Sequence, residues 1–235
     1  MLVQSMILVI LIKNIRPSYF SRMIQIYYTY TYDLLESKFE NLIPLLPLKA
    51  KSKCQNYKRN EDKLLLLASY ALLSKMLADK GYSAFQLADL LFSEAGRPYF
   101  MDSPFDFNIS HTDHCAAVVF LENGRVGIDI EVIKAVDLSD YEETFSEKEW
   151  QEINSSEHKI NKFYDYWTLL ESALKADGRG LSLLSSPEIK IKKNQVVIDG
   201  KEWFSRHEYF DSEISCCITS NADQEVVELL EIRLV

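Results

Sequence analysis

Basic residues are in deficit: 26 Lys and Arg stand against 35 Asp and Glu, a net charge of -9 over 235 residues. Such a chain is a poor non-specific ligand for nucleic acid or an anionic membrane, so neither is expected as a partner. It can bind phosphates only where its cations are gathered locally. Glycine and proline are scarce, seven and six, which argues against long flexible linkers and collagen-like stretches. The four cysteines, Cys54, Cys115, Cys216 and Cys217, form no C-x-x-C pair. They read as reduced, buried thiols in a reducing compartment, so a cytoplasmic location is expected. No apolar run is long enough to cross a bilayer. Met6 to Ile12 is far too short, and Lys13, Arg16 and Arg22 follow it where a secretory signal would have them precede it. What is present is the 47% hydrophobic, 26% charged mixture of a globular protein, in a chain long enough for one large domain or two small ones sharing a core.

The pattern changes at Met23, where MIQIYYTYTY begins a β-rich run. Residues 1–22 are therefore expected to be an upstream extension, with the folded body starting near Met23. In the strand that follows, Ile24, Ile26, Tyr28 and Tyr30 share one face. Leu35 to Leu46 reads as mixed and helical, and Lys51 to Arg59 is basic. Glu61 to Lys80 has apolar residues at helical spacing, with Gly81 as its C-terminal stop. Cys115–Phe120 and Val126–Glu131 are apolar runs separated by an Asn123-Gly124 turn signal, which predicts a hairpin. Ser146 and Glu149 make a capping box, with Phe145 expected to pack on Trp150. A second strong helix runs from about Lys159 to Ala176 on a stripe of Phe163, Trp167, Leu170 and Leu174, and Gly178 ends it. Beyond Gly180 the chain is β-rich. The expected fold is α+β in two similar halves, an N-terminal subdomain over 23–123 and a C-terminal one over 124–235 that carries the chemistry.

Three local features point to that chemistry. In Val126-Gly127-Ile128-Asp129-Ile130-Glu131, Asp129 and Glu131 share one strand face. Adjacent carboxylates need solvent or a cation, and Mg²⁺ takes oxygen ligands of this kind together with substrate phosphates. Taken alone, the hexapeptide reads as an amphipathic strand with a wet acidic face. Glu171 and Lys175 are four apart on the second helix, which by itself describes an ordinary surface ion pair. Ser110, His111 and Thr112 put an imidazole among hydroxyls that can bind phosphate oxygens. His111 and His114 lack the further ligands of a zinc site.

In order, Asn-Ile-Ser-His, Gly-Ile-Asp-Ile-Glu, Phe-Ser-Glu-x-Glu and Trp-Thr-x-x-Glu-Ser-x-x-Lys-x-x-Gly-x-Gly-Leu together resemble the Sfp-type phosphopantetheinyl transferases. The similarity runs from about Lys51 to Ser182. The resemblance implies a pseudo-dimer of two α+β subdomains with coenzyme A between them, and transfer of its 4′-phosphopantetheine to a serine of an apo acyl or peptidyl carrier protein. It implies Mg²⁺ on Asp129, Glu131 and Glu171, with Glu171 also the general base. Lys175 is placed on the coenzyme A diphosphate, Ser110 and His111 on phosphate, Arg97 near the nucleotide and Lys53 near the 3′-phosphate. A monomer is expected, since one chain carries both halves. Three positions depart from the family pattern: Leu170 stands where a lysine is usual before the glutamate, Ala50 where a second 3′-phosphate lysine is usual, and Leu66 where some members have threonine. Leu170 raises the alternative of a weakened member that binds coenzyme A or carrier without efficient transfer. A Mg²⁺ nuclease is a more remote alternative, which the acidic charge disfavours.

Overall fold

The computed structural model describes residues 23–32, 34–180, 189–223 and 226–234. The expected extension over 1–22 and the Leu181-Ser182 end of the last motif lie outside the described residues. In chain order the elements are β1 (Met23–Tyr30), α1 (Leu48–Asn56), α2 (Asn60–Asp79), β2 (Leu91–Phe92), β3 (Pro98–Tyr99), β4 (Phe105–Thr112), β5 (Cys115–Glu122) and β6 (Val126–Val132). There follow α3 (Glu147–Ser155), α4 (Lys159–Asp177), β7 (Ile189–Lys192), β8 (Gln195–Ile198), β9 (Lys201–Glu208), β10 (Ile214–Ser220) and β11 (Val226–Glu231).

The mixed α+β class is as expected. One sheet has the order β11-β1-β5-β4 and the other β6-β10-β9-β8-β7. Three apolar clusters give the layering. Leu67, Leu72, Leu73 and Met76 of α2 pack on Phe105, Phe107, Val118 and Phe120 of the first sheet. The opposite face of that sheet, with Ile24, Ile26, Ala117 and Val119, meets Ile128, Ile130, Ile214 and Ile218 of the second. Phe163, Leu170, Ala173 and Leu174 of α4 then cover the far face of the second sheet through Val196, Trp203 and Cys217. The sequence of layers is helix, sheet, sheet, helix, which is one way to bury a hydrophobic face on every element.

Local signals explain most boundaries. Ser146 and Glu149 close the capping box at α3 reciprocally. Phe145 makes ring pairs with Phe163 and Tyr166 of α4, and Trp150 packs against the same cluster. Gly178 ends α4 at φ +89, and its N–H donates to the Leu174 carbonyl at 2.9 Å.

Two expectations are corrected. Leu35–Leu46 makes only two short 3-10 turns, Glu36–Phe39 and Ile43–Leu45, because Pro44 and Pro47 deny amide donors to a longer helix. Residues 51–56 of the basic segment 51–59 lie inside α1. Residues 123–124 do not close a hairpin: β5 is already paired on both edges, with β1 and β4, so the turn at Asn123 hands the chain to the second sheet. The C-terminal part of the chain also contributes to the first sheet. β11 returns to the first one and runs parallel to β1, with Met23 opposite Val226 and Tyr28 opposite Glu231.

Candidate active site

The site lies where the two sheets approach at their edge strands, β4 and β6. Along β4, Asp106, Asn108, Ser110 and Thr112 alternate with Phe107, Ile109 and His111, so the four polar side chains share one face. Each accepts an amide from β6 at a constant offset of 20 residues. Val126 N–H donates to Asp106 Oδ2 at 2.9 Å, Ile128 N–H to Asn108 Oδ1 at 3.0 Å, Ile130 N–H to Ser110 Oγ at 3.3 Å and Val132 N–H to Thr112 Oγ1 at 3.1 Å. A side-chain ladder thus replaces a backbone ladder and satisfies an edge that would otherwise strand buried donors. Sequence reasoning passed over Asp106, Asn108 and Thr112 in this role, although their period-two alternation was visible in FDFNISHT.

Helix α4 closes on the other side of β6. Gly127 makes this possible: a Cβ there would lie 2.2 Å from the Ser172 carbonyl oxygen and 2.5 Å from the Ala176 nitrogen. With backbone touching backbone, Asp129 on β6 comes within reach of α4. Lys175 Nζ lies 2.5 Å from Asp129 Oδ1, 3.1 Å from Ser110 Oγ and 3.7 Å from Glu171 Oε2. Ser110 Oγ also donates to Asp129 Oδ1 at 3.1 Å, and Thr112 Oγ1 donates to Glu131 Oε2 at 3.3 Å. Asp129, Glu171, Lys175 and Ser110 are therefore in one contact network, and Glu131 joins it through the ladder.

The electrostatics are those of a site short of positive charge. Burial, and then the charge of Asp129, raise the Glu171 carboxyl to about 7. The same two causes in the same order raise Glu131 to about 7. Burial penalises the Lys175 ammonium, but Asp129 and Glu171 more than offset it and leave its pKa raised. Asp129 is 1% exposed, and its Oδ2 is buried with no hydrogen-bond partner among the described residues. Three carboxylates, one with an unsatisfied buried oxygen, make a donor set suited to a hard divalent cation. Among the described residues, however, no three acidic, His or Cys side chains are gathered tightly enough to form a ready-made metal cage. Lys175 itself holds the ground between Asp129 and Glu171.

The remaining expected residues are placed as follows. His111 is on the opposite face of β4 from Ser110, exposed at its rim. Desolvation by the surrounding protein, then the cations Lys53 and Lys175, hold its imidazole below the ordinary range. Lys53 projects from α1 with its ammonium 5.5 Å from the centre of the Tyr57 ring. Arg97 is 8% exposed and turned into the junction, where it meets Asp106 at 2.7 Å. Leu170 is 2% exposed in the α4 core and Ala50 is 3% exposed in the core against the first sheet. Beside the network opens a cleft of about 240 Å³, lined by Gly96, Pro98, Asn108, Ile109, Leu174 and Lys175 among others. Larger cavities of about 440 and 600 Å³ exist, but neither is lined by the carboxylates or by Lys175.

Fold and site together define a class: a two-sheet α+β protein with buried carboxylates and a lysine at the sheet junction, beside a lysine-bearing cleft. The sequence model of the 4′-phosphopantetheinyl transferase superfamily matches residues 125–221, which carry β6, α4 and β10. A Haemophilus influenzae relative, itself only provisionally named a 4′-phosphopantetheinyl transferase, is 33% identical over 184 residues, 73% of this chain and 76% of its own length. The Bacillus subtilis 4′-phosphopantetheinyl transferase ffp is 32% identical over 158 residues, covering 64% and 68% of the two chains. The Bacillus subtilis 4′-phosphopantetheinyl transferase Sfp is 29% identical over 175 residues, covering 71% and 76%. The chain belongs to the 4′-phosphopantetheinyl transferase superfamily.

Proposed function

We propose that this protein transfers the 4′-phosphopantetheine group of coenzyme A to a serine of an apo acyl or peptidyl carrier protein, as a holo-carrier-protein synthase that depends on Mg²⁺. The observation that carries the reading is the junction of Asp129, Glu171, Lys175 and Ser110 beside a cleft walled by residues 95–98, β4 and the end of α4. Family membership and the names of its relatives support the reaction class.

In the reaction, the serine hydroxyl oxygen bonds to the β-phosphorus of coenzyme A. The bond from that phosphorus to the bridging oxygen breaks, and adenosine 3′,5′-bisphosphate leaves with the electron pair. Phosphoryl transfer of this kind asks for positioning and charge neutralisation above all. Lys175 supplies positive charge at the diphosphate, and His111, on the other face of β4, supplies a donor to a phosphate oxygen, while the Ser110 hydroxyl proton is directed at Asp129. Glu171, or a water it orients, takes the serine proton. Asp129, Glu131 and Glu171 would hold Mg²⁺, whose role is to neutralise developing charge on the phosphate oxygens. On α1, Lys53 would meet the 3′-phosphate, with Lys51 as the substitute for the cation that Ala50 lacks.

The protein acts as a monomer, since one chain supplies both edges of the junction. All four cysteines are free and buried, which suits the reducing cytoplasm. Among the described residues no helix is long and apolar enough to cross a membrane.

The test is to mix protein, coenzyme A, Mg²⁺ and several apo carriers and to weigh the carriers by mass spectrometry. At least one carrier gains a phosphopantetheine. Asp129→Ala abolishes the gain while circular dichroism stays native. A wild-type protein that modifies none of the carriers and does not bind coenzyme A overturns the reading.

A further inference from the structure

Arg97 has more partners than a residue at a cleft wall needs. Its Nη1 donates to the Lys175 carbonyl, and its Nη2 reaches Asp106 Oδ2 at 2.7 Å, the Phe107 carbonyl at 2.8 Å and the Val126 carbonyl at 2.9 Å. Those acceptors belong to α4, β4 and β6, the three elements that build the site. The turn bearing it is itself fixed: the Arg97 N–H donates to Ser93 Oγ at 3.1 Å, and its carbonyl accepts from the Ser93 N–H at 2.9 Å. The last carbonyls of a helix lack intrahelical donors, and here Arg97 and Arg125 provide them. Arg125 Nη2 donates to the Ala176 carbonyl at 3.2 Å, and its Nη1 lies 3.7 Å from Asp106 Oδ1. Cations at this end also oppose the negative pole of the helix dipole.

We propose that Arg97 is a positioning residue: it clamps the last turn of α4 to β4 and β6, so that the Lys175 ammonium stays between Asp129 and Ser110. The inference rests on the phosphopantetheinyl transfer reading, and it assigns Arg97 to the geometry of Lys175 where the family resemblance would put it against the nucleotide. A lysine could not do the same work. An ammonium offers three donors around one point, whereas the guanidinium fork spreads its donors over four acceptors on three elements.

The experiment uses full-length Arg97→Lys, with Asp106→Asn as a second variant that loosens the same guanidinium but leaves it in place. Two measurements are made on each: hydrogen exchange of the amides at 173–178, and steady-state transfer to a carrier. Positioning predicts faster exchange in the last turn of α4, a fall in kcat of about tenfold or more and a coenzyme A KM within about twofold of wild type. Asp106→Asn gives the same pattern in smaller degree. Placed on Lys175→Ala, Arg97→Lys causes no further loss, because the residue it would position is gone. A contact to the nucleotide predicts the reverse: KM rises, kcat and exchange are unchanged, and the two losses add. That result, or a wild-type-like Arg97→Lys, overturns the proposal. Wild-type turnover run alongside tests the transfer reading separately, and the exchange measurement decides the clamp even if no carrier is modified.

Discussion

At the scale of single residues, the site is organised around one deeply buried carboxylate and its one ammonium. Asp129 has a 2% exposed side chain and Lys175 a 26% exposed one, at 2.5 Å. Removing one member of such a pair leaves the other as an uncompensated charge, which costs several kcal/mol when both are fully buried. Because Lys175 is partly open to solvent, Lys175→Met is expected to cost about 2–3 kcal/mol, toward the lower end of that range. The variant should also be rescued by magnesium. With the ammonium gone, both oxygens of Asp129 lack a positive partner, so Mg²⁺ should raise the unfolding midpoint of Lys175→Met more than that of wild type. Thermal unfolding with and without Mg²⁺ measures this. Equal shifts in the two proteins would mean that the carboxylates do not hold the metal. Leu170 belongs at this scale as well. It is 2% exposed among the apolar side chains of α4, so its hydrophobic character follows from where its side chain packs.

Among elements, the decisive contact is β6 against α4, and it depends on a hydrogen atom at Gly127. The clash of an added Cβ is with helix backbone, the Ser172 carbonyl at 2.2 Å and the Ala176 nitrogen at 2.5 Å, so no rotamer change can relieve it. Gly127→Ala must lift α4 from the strand or distort both. Overpacking of this kind typically costs about 1–3 kcal/mol, and here it also parts Lys175 from Asp129. The expected outcome is a lower unfolding midpoint with a loss of transfer larger than the stability change explains. A variant with wild-type activity would show that the close approach is dispensable. This glycine stood inside a motif that sequence reasoning had marked for its carboxylates, and its steric role needs the helix to be seen. Elements with their own signal were legible in advance: the Ser146–Glu149 box, the Gly178 stop, the α4 stripe and the alternation in β1. Asp129, Glu131, Glu171 and Lys175 stand out only when the motifs are taken together in order, since each spacing alone describes a wet strand face or a surface ion pair. What was not legible depends on pairing between distant segments. The Asn123-Gly124 turn has hairpin chemistry, yet the edges of β5 are occupied by β1 and β4. Arg97 carries a charge that suggests a phosphate, yet its acceptors are carbonyls that only the assembled junction brings together.

For the whole molecule, the two sheets depend on each other more than two subdomains joined at residue 123 would. The face between them buries Ile24, Ile26, Val119 and Leu121 from one side and Ile128, Ile130, Ile214 and Ile218 from the other. At one edge, the side chains of β4 satisfy four amides of β6. At the other, β11 comes from the C-terminal end of the chain to complete the first sheet along six paired positions of β1. A fragment of residues 23–123 would therefore expose an apolar sheet face and the bare edge of β1. A fragment of residues 124–235 would carry β6 with unsatisfied amides and β11 with no sheet to join. Exposed faces and open edges of this kind favour association over independent folding. We expect neither fragment to unfold cooperatively alone in thermal or urea titrations. Mixed in equal amounts, they should recover a single transition whose midpoint rises with concentration, as mass action requires of a state held together by association. The recovered complex should also regain the transfer activity, since Asp129 and Lys175 lie on one fragment and Ser110 and His111 on the other. If either fragment alone gave a sharp, concentration-independent transition, the sheets would be autonomous and the junction would be a docking surface between finished domains.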